Sequence, residues 1–137
     1  MAWRDRVNGD PTTWLLDACG PGVRYLALRD LMGLPEEERE LQESRLAAHT
    51  QGPIASLLAE MNPGGYWVEP GPGYHPKYRS SVWSVILLAQ LGASVEVDSR
   101  LASACHYLLD HTLTPGGQFS INGAPSATVD CLQGNLI

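Results

Sequence analysis

The chain lacks every mark of export or membrane insertion. Its first residues, MAWRDRVNGDPTTW, contain no apolar leader core, and no run of about 18 apolar residues occurs anywhere. No membrane span is therefore expected. Basic residues are scarce: nine Lys and Arg stand against 15 Asp and Glu, a net charge of -6. That balance excludes broad binding to nucleic acid or anionic membranes, which needs cationic surface to displace counterions. Only three cysteines are present, Cys19, Cys105 and Cys131. An odd number without Cys-x-x-Cys spacing points to reduced thiols in a cytoplasmic protein rather than to a disulfide framework. His-Glu-x-x-His, Gly-x-Ser-x-Gly, P-loop and dinucleotide fingerprints are all missing, so hydrolase and nucleotide-dependent chemistry have no sequence support. The four histidines, His49, His75, His106 and His111, show no paired spacing and are expected at the surface. With 44% apolar and 18% charged residues the chain is globular rather than disordered, and 137 residues make about one domain.

What is there is organised around Met61 to Leu91: a Pro-Gly-Gly-aromatic break, a proline-rich loop, then a helix apolar on nearly every face. A weaker copy runs from Leu113 to Ile137, in which Pro115-Gly116-Gly117 echoes Pro63-Gly64-Gly65 52 residues later. Self-similarity at that period predicts stacked repeats that bury their apolar faces against one another.

The remaining helices follow from their punctuation. Asp10-Pro11 reads as a cap and first position of a short helix through Trp14, Leu15 and Leu16, stopped at Cys19-Gly20. After Pro21-Gly22, Val23, Leu26, Ala27, Asp30 and Leu31 share one face, and Gly33 supplies a left-handed end. Pro35 with Glu36, Glu37 and Glu38 is expected to open a third, solvent-facing helix to His49. Ile54, Leu57, Leu58 and Met61 form the stripe of a fourth. The loop from Tyr66 to Tyr78 is too rich in Pro and Gly to be helical, and loops of this kind cap or line cavities. Ser80 or Ser81 can cap the apolar inner helix, which Gly92 closes. Asp98 caps an outer helix with Leu101, Cys105 and Leu108 on one side, and a last helix is expected from Ala127 with Val129, Leu132 and Leu136.

Met61-Asn62-Pro63-Gly64-Gly65-Tyr66-Trp67, and the repeat behind it, resembles the α/α toroid superfamily of squalene and terpene cyclases and protein prenyltransferase β subunits. The family's Gln-x-x-x-Gly-x-Trp motif keeps its Gly65 and Trp67 here, with Met61 in place of Gln. In the second copy Leu113, Gly117 and Phe119 occupy the three positions. The likeness covers roughly residues 52–137 and implies an all-α fold, a partial toroid of alternating inner and outer helices. One domain over 1–137 is expected, with repeat units at about 52–112 and 113–137 behind N-terminal helices at 10–50.

The resemblance also frames the chemistry. The Asp-x-Asp-Asp acid of the class II cyclases does not occur. The Asp-x-Cys zinc pair of the prenyltransferases has a partial counterpart in Asp130 and Cys131, which makes Asp130 the one catalytic candidate and the two residues the only metal candidates. Because they are adjacent, they diverge by about 100° on a helix and are hard to aim at one ion, so no metal or other cofactor is expected. Lys77 and Arg79, ahead of the Ser80-Ser81 helix start, suit either a diphosphate or carboxylate site or a solvated loop carrying Tyr74 and Tyr78. Tyr66, Trp67, Tyr78 and Trp83 suit either a pocket for an isoprenoid or plain core. Two functions remain: a non-catalytic scaffold that binds an apolar ligand or a protein, or part of an isoprenoid-processing enzyme completed beyond Ile137. Val129, Cys131, Leu132, Leu136 and Ile137 end without a Gly cap or a covering helix, which predicts a homo-oligomer formed through that apolar face.

Overall fold

The computed structural model describes residues 6–17 and 20–137. Among them are seven α-helices and no strand; the nearest approach to a sheet is two isolated bridges, Leu113 with Phe119 and Ser120 with Thr128. The all-α expectation therefore holds. No helix among these residues is long and apolar enough to cross a membrane. The chain forms two compact units, Met1–Ala55 and Ser56–Ile137.

In the first unit, α1 (Thr12–Asp17) starts as its sequence predicts: the Thr12 N–H donates to Asp10 Oδ1 at 2.9 Å. The expected stop at Cys19 lies outside the described residues. Helix α2 (Pro21–Leu26) runs into one π-helical turn over Ala27–Leu31, after which Gly33 takes φ 64 and the Leu34 N–H reaches back to Leu28 O at 3.1 Å. Helix α2 packs on α3 (Arg39–Thr50), and Tyr25, Ala27 and Leu28 are buried. The expected face of Val23, Leu26, Ala27, Asp30 and Leu31 is found together, and with Leu15 it lines an apolar groove of about 310 Å³.

Helix α3 departs from expectation twice. Glu36 to Glu38 do not start it, because the Glu38 N–H closes a turn on Pro35 O at 2.9 Å and leaves Glu38 extended as the N-cap. It is also not solvent-facing throughout: Leu41, Ser44 and Ala48 form a buried stripe at i, i+3 and i+7. His49, expected at the surface, is buried with Nδ1 2.8 Å from Arg45 O.

The boundary between the units falls within α4 (Pro53–Ala59), and the second unit continues through α5 (Ser81–Gln90), α6 (Arg100–Thr112) and α7 (Asp130–Leu136), with a 3₁₀ turn at Pro125–Ala127. Its core gathers Tyr74, Val82, Leu108, Phe119 and Leu132. The two turns of the 52-residue echo share their backbone hydrogen bonds. In the first turn the Asn62 N–H donates to Tyr66 O at 2.8 Å and the Gly65 N–H to Asn62 O at 2.9 Å. In the second, Thr114 donates to Gln118 O and Gly117 to Thr114 O, both at 2.9 Å. Gly65 and Gly117 sit at φ 86 and 77, the left-handed region that glycine enters at little cost. The aromatic two residues on then buries its side chain and gives its main-chain N–H to a helix side chain 14 residues later: Trp67 to Ser81 Oγ at 3.0 Å, Phe119 to Gln133 Oε1 at 2.9 Å.

Helix α5 ends as predicted at Gly92, φ 77, with the Ala93 N–H returning to Leu88 O at 2.9 Å. On α6 the buried side is Leu101, Ala104, Tyr107 and Leu108, so Tyr107 occupies the interior and Cys105 is exposed. Desolvation nonetheless raises the Cys105 thiol above its ordinary range. The last helix starts at Asp130 rather than Ala127 because Pro125–Ala127 is spent on the 3₁₀ turn. The apolar face of α7 stands open only in part. Leu132 is 2% exposed and Val129 and Leu136 are partly buried on the same core, while Cys131 and Ile137 remain exposed, Ile137 at 99%.

A candidate binding groove along α5

The loop between the first turn and α5 is held from both sides. From α6, the Tyr107 hydroxyl accepts from Gly71 N–H at 2.6 Å and donates to Gly71 O at 3.2 Å, while Thr112 Oγ1 donates to Pro72 O at 3.0 Å. From α5, the Ser80 hydroxyl and the Val82 N–H both donate to Gly73 O, at 2.7 and 3.0 Å, and the Trp83 indole donates to Tyr74 O at 2.8 Å. The loop lines a cleft of about 220 Å³ with Ile121 and Asn122 of the second copy.

These bonds decide the anion reading. Ser80 sits at the N-cap position, but its hydroxyl is turned to Gly73 O, and both Ser80 and Ser81 are completely buried. The Val82 N–H in the first turn of α5 is taken by the Gly73 carbonyl, which a diphosphate or carboxylate would have to displace to reach it. Lys77 and Arg79 are exposed beside that helix start.

Lys77 leans over aromatics instead. Its Nζ lies 5.7 Å from the Tyr74 ring centroid, 5.9 Å from Tyr78 and 6.0 Å from Trp83. Trp83 is 5.2 Å from Tyr74 and 4.9 Å from Tyr78, tilted by 55° and 54°. Tyr78 takes φ 65, a conformation uncommon outside glycine, and is 75% exposed.

From this cluster a groove of about 300 Å³ runs along α5, lined by Tyr78, Trp83, Ile86, Leu87, Gln90 and Asn135 of α7. Trp83, Ile86, Leu87 and Gln90 are spaced i, i+3, i+4 and i+7 on one face of the helix. Leu87 is 42% exposed and Trp83 and Ile86 are half-buried, so α5 is not the wholly enclosed inner helix that its composition predicts. The surrounding charge is uneven. Lys77 is the only lysine in the chain, and Lys77, Arg79 and Arg100 are the only Lys and Arg of the second unit. Arg100 is engaged elsewhere, paired with Asp98 at 2.6 Å and donating to Leu58 O at 3.0 Å.

The expected site residues thus divide. Tyr78 and Trp83 line the groove, with Lys77 and Arg79 near its Tyr78 end. Trp67 does not join them: it is 2% exposed, its indole donates to Leu57 O at 2.8 Å, and it serves as an interior prop. Tyr66 packs on Tyr107 at 5.3 Å. Asp130 and Cys131 are both exposed at the start of α7, and among the described residues no three His, Cys, Asp or Glu side chains converge on a point that could hold a metal. Ile86, Leu87, Gln90 and Asn135 were missed from the sequence, although the i, i+3, i+4, i+7 spacing of the α5 residues was present in it. No family model, curated protein or solved structure matches this chain.

Proposed function

We propose that this chain is a non-catalytic scaffold of prenyltransferase- and squalene cyclase-like α/α repeats, a partial toroid that holds an apolar, isoprenoid-sized ligand along α5. The observation that carries the reading is the half-exposed stripe of Trp83, Ile86 and Leu87 lining a groove of about 300 Å³. That volume is at the lower end of small-molecule sites, and an apolar strip of Trp83, Ile86 and Leu87 edged by Tyr78, Gln90 and Asn135 suits a hydrocarbon chain that ends in a polar group. The repeated Gly-x-aromatic turn supports the kinship in fold, since the glycine and the aromatic that repeat are the ones that shape the turn and fill the interior.

Native mass spectrometry of the purified chain with farnesol as probe tests the proposal. One farnesol per chain is expected, with uptake strongly reduced in Leu87→Glu, a change at an exposed position that leaves the core intact. No uptake, or equal uptake by the variant, contradicts it.

A further inference from the structure

The Tyr78 end of the groove carries chemistry that a hydrocarbon alone does not use. Three aromatic faces meet around one point, marked by Lys77 Nζ at 5.7, 5.9 and 6.0 Å from their centroids. Two of the rings are fixed: Tyr74 is 8% exposed, and the Trp83 indole is tied to its carbonyl. Tilts of 55° and 54° keep Trp83 from lying flat on either tyrosine, and Lys77 Nζ lies over all three rings.

We propose that Tyr74, Tyr78 and Trp83 form a binding site for a quaternary ammonium group, and that Lys77 is a tethered occupant which such a ligand displaces. Ring faces attract a cation within about 6 Å, and the attraction is strongest for one that sheds its water easily. A lysine ammonium is compact and strongly hydrated, so it gains little from these rings. A trimethylammonium group makes no hydrogen bonds to water, can rest its methyls on the three rings where Lys77 Nζ now lies, and carries the same charge. Lys77 is exposed and forms no ion pair among the described residues, so its departure breaks none. The chain's net charge of -6 favours the approach of a cation. The inference rests on the groove reading in one respect: the alkyl part of the ligand would continue over Ile86 and Leu87.

The test is calorimetric titration of the whole chain with two probes, choline and N-acetyl-trimethyllysine amide, each against its uncharged isostere with a tert-butyl head. Each charged probe is expected to bind at least about tenfold tighter than its isostere, and the tighter of the two identifies the source as a small choline-type molecule or a methylated lysine. Lys77→Ala should tighten binding about fivefold, by removing an occupant that reduces the competent fraction. Tyr78→Leu, at an exposed position, keeps the apolar volume but removes a ring face, and should weaken binding about tenfold. Equal binding of charged probe and isostere, or no binding of either charged probe to Lys77→Ala at about 10 mM while farnesol still binds, overturns the cage and leaves the groove standing. Weaker binding in Lys77→Ala overturns the role given to Lys77. Failure of farnesol to bind is a separate result that removes the groove reading.

Discussion

The two turns of the second unit, Asn62 to Trp67 and Thr114 to Phe119, share their backbone hydrogen bonds but are anchored differently. At Gly65 an added Cβ would lie 2.7 Å from Ser103 O of α6, whereas at Gly117 nothing lies within 4 Å. Trp67 is locked by its indole bond to Leu57 O, while Phe119 has no side-chain donor. Gln133 compensates by gripping the main chain of Phe119 on both sides, accepting from its N–H at 2.9 Å and donating to its carbonyl at 2.6 Å. The shape of the turn is therefore local, written by Pro, Gly and the aromatic, while its rigidity comes from whichever helix passes over it. Their helices differ in the same way. Helix α7 sends Leu132 into the core and α5 sends Val82, with Val129 and Leu136 of the one and Trp83 and Ile86 of the other partly buried against it, but α5 alone adds an exposed apolar residue, Leu87, on the groove. The copy with the more tightly wedged turn is the one that carries the groove.

Substitutions that treat the copies unequally should break or sharpen this comparison. The largest effect is expected for Trp67→Ala, a loss of about 3 to 5 kcal/mol in urea unfolding, because a fully buried aromatic and its hydrogen bond disappear together. Next is the glycine pair. Gly65→Ala should cost about 3 kcal/mol from left-handed strain plus collision with the Ser103 carbonyl, and Gly117→Ala about 1 kcal/mol from strain alone. Equal losses would mean that α6 does not back the first turn. Between the two glycines, Gln133→Ala should cost about 1 to 2 kcal/mol by leaving the Phe119 N–H and carbonyl without their partner. The least effect is kinetic. With its thiol raised by burial, Cys105 holds less thiolate at pH 8 than an ordinary cysteine, so peptide mapping after brief iodoacetamide treatment should find it labelled more slowly than a cysteine peptide standard. Labelling at the standard's rate would contradict that environment.

Much of this organisation is legible in the sequence where one residue type has one structural use. The Pro-Gly-Gly echo marks both turns, Gly33 and Gly92 end their helices, and Asp10 and Asp98 cap theirs, the latter accepting from Arg100 N–H at 3.0 Å. What was hidden depends on neighbours. A helix as apolar as Ser81–Gln90 has no pattern to reveal which face stays open, so Leu87 and Ile86 could not be separated from Val82 and Leu88, which are 0% and 1% exposed. Cys105 and Tyr107 compete for the interior of α6, and the larger aromatic takes it. The three glutamates after Pro35 suit a helix start by charge, but the Pro35 turn claims the backbone first. The aromatics of the site were visible as residues; their convergence on Lys77 depends on the loop being folded back by α5 and α6.

The central claim is that the chain contains one turn unit twice, each closed by a main-chain N–H given to a side chain 14 residues on. Amide hydrogen exchange followed by NMR tests it most directly. The Trp67 and Phe119 amides should both be protected, with Ser81→Ala releasing Trp67 alone and Gln133→Ala releasing Phe119 alone. A Phe119 amide that exchanges as in an unfolded chain, or one that Gln133→Ala leaves unchanged, would contradict the equivalence of the two copies.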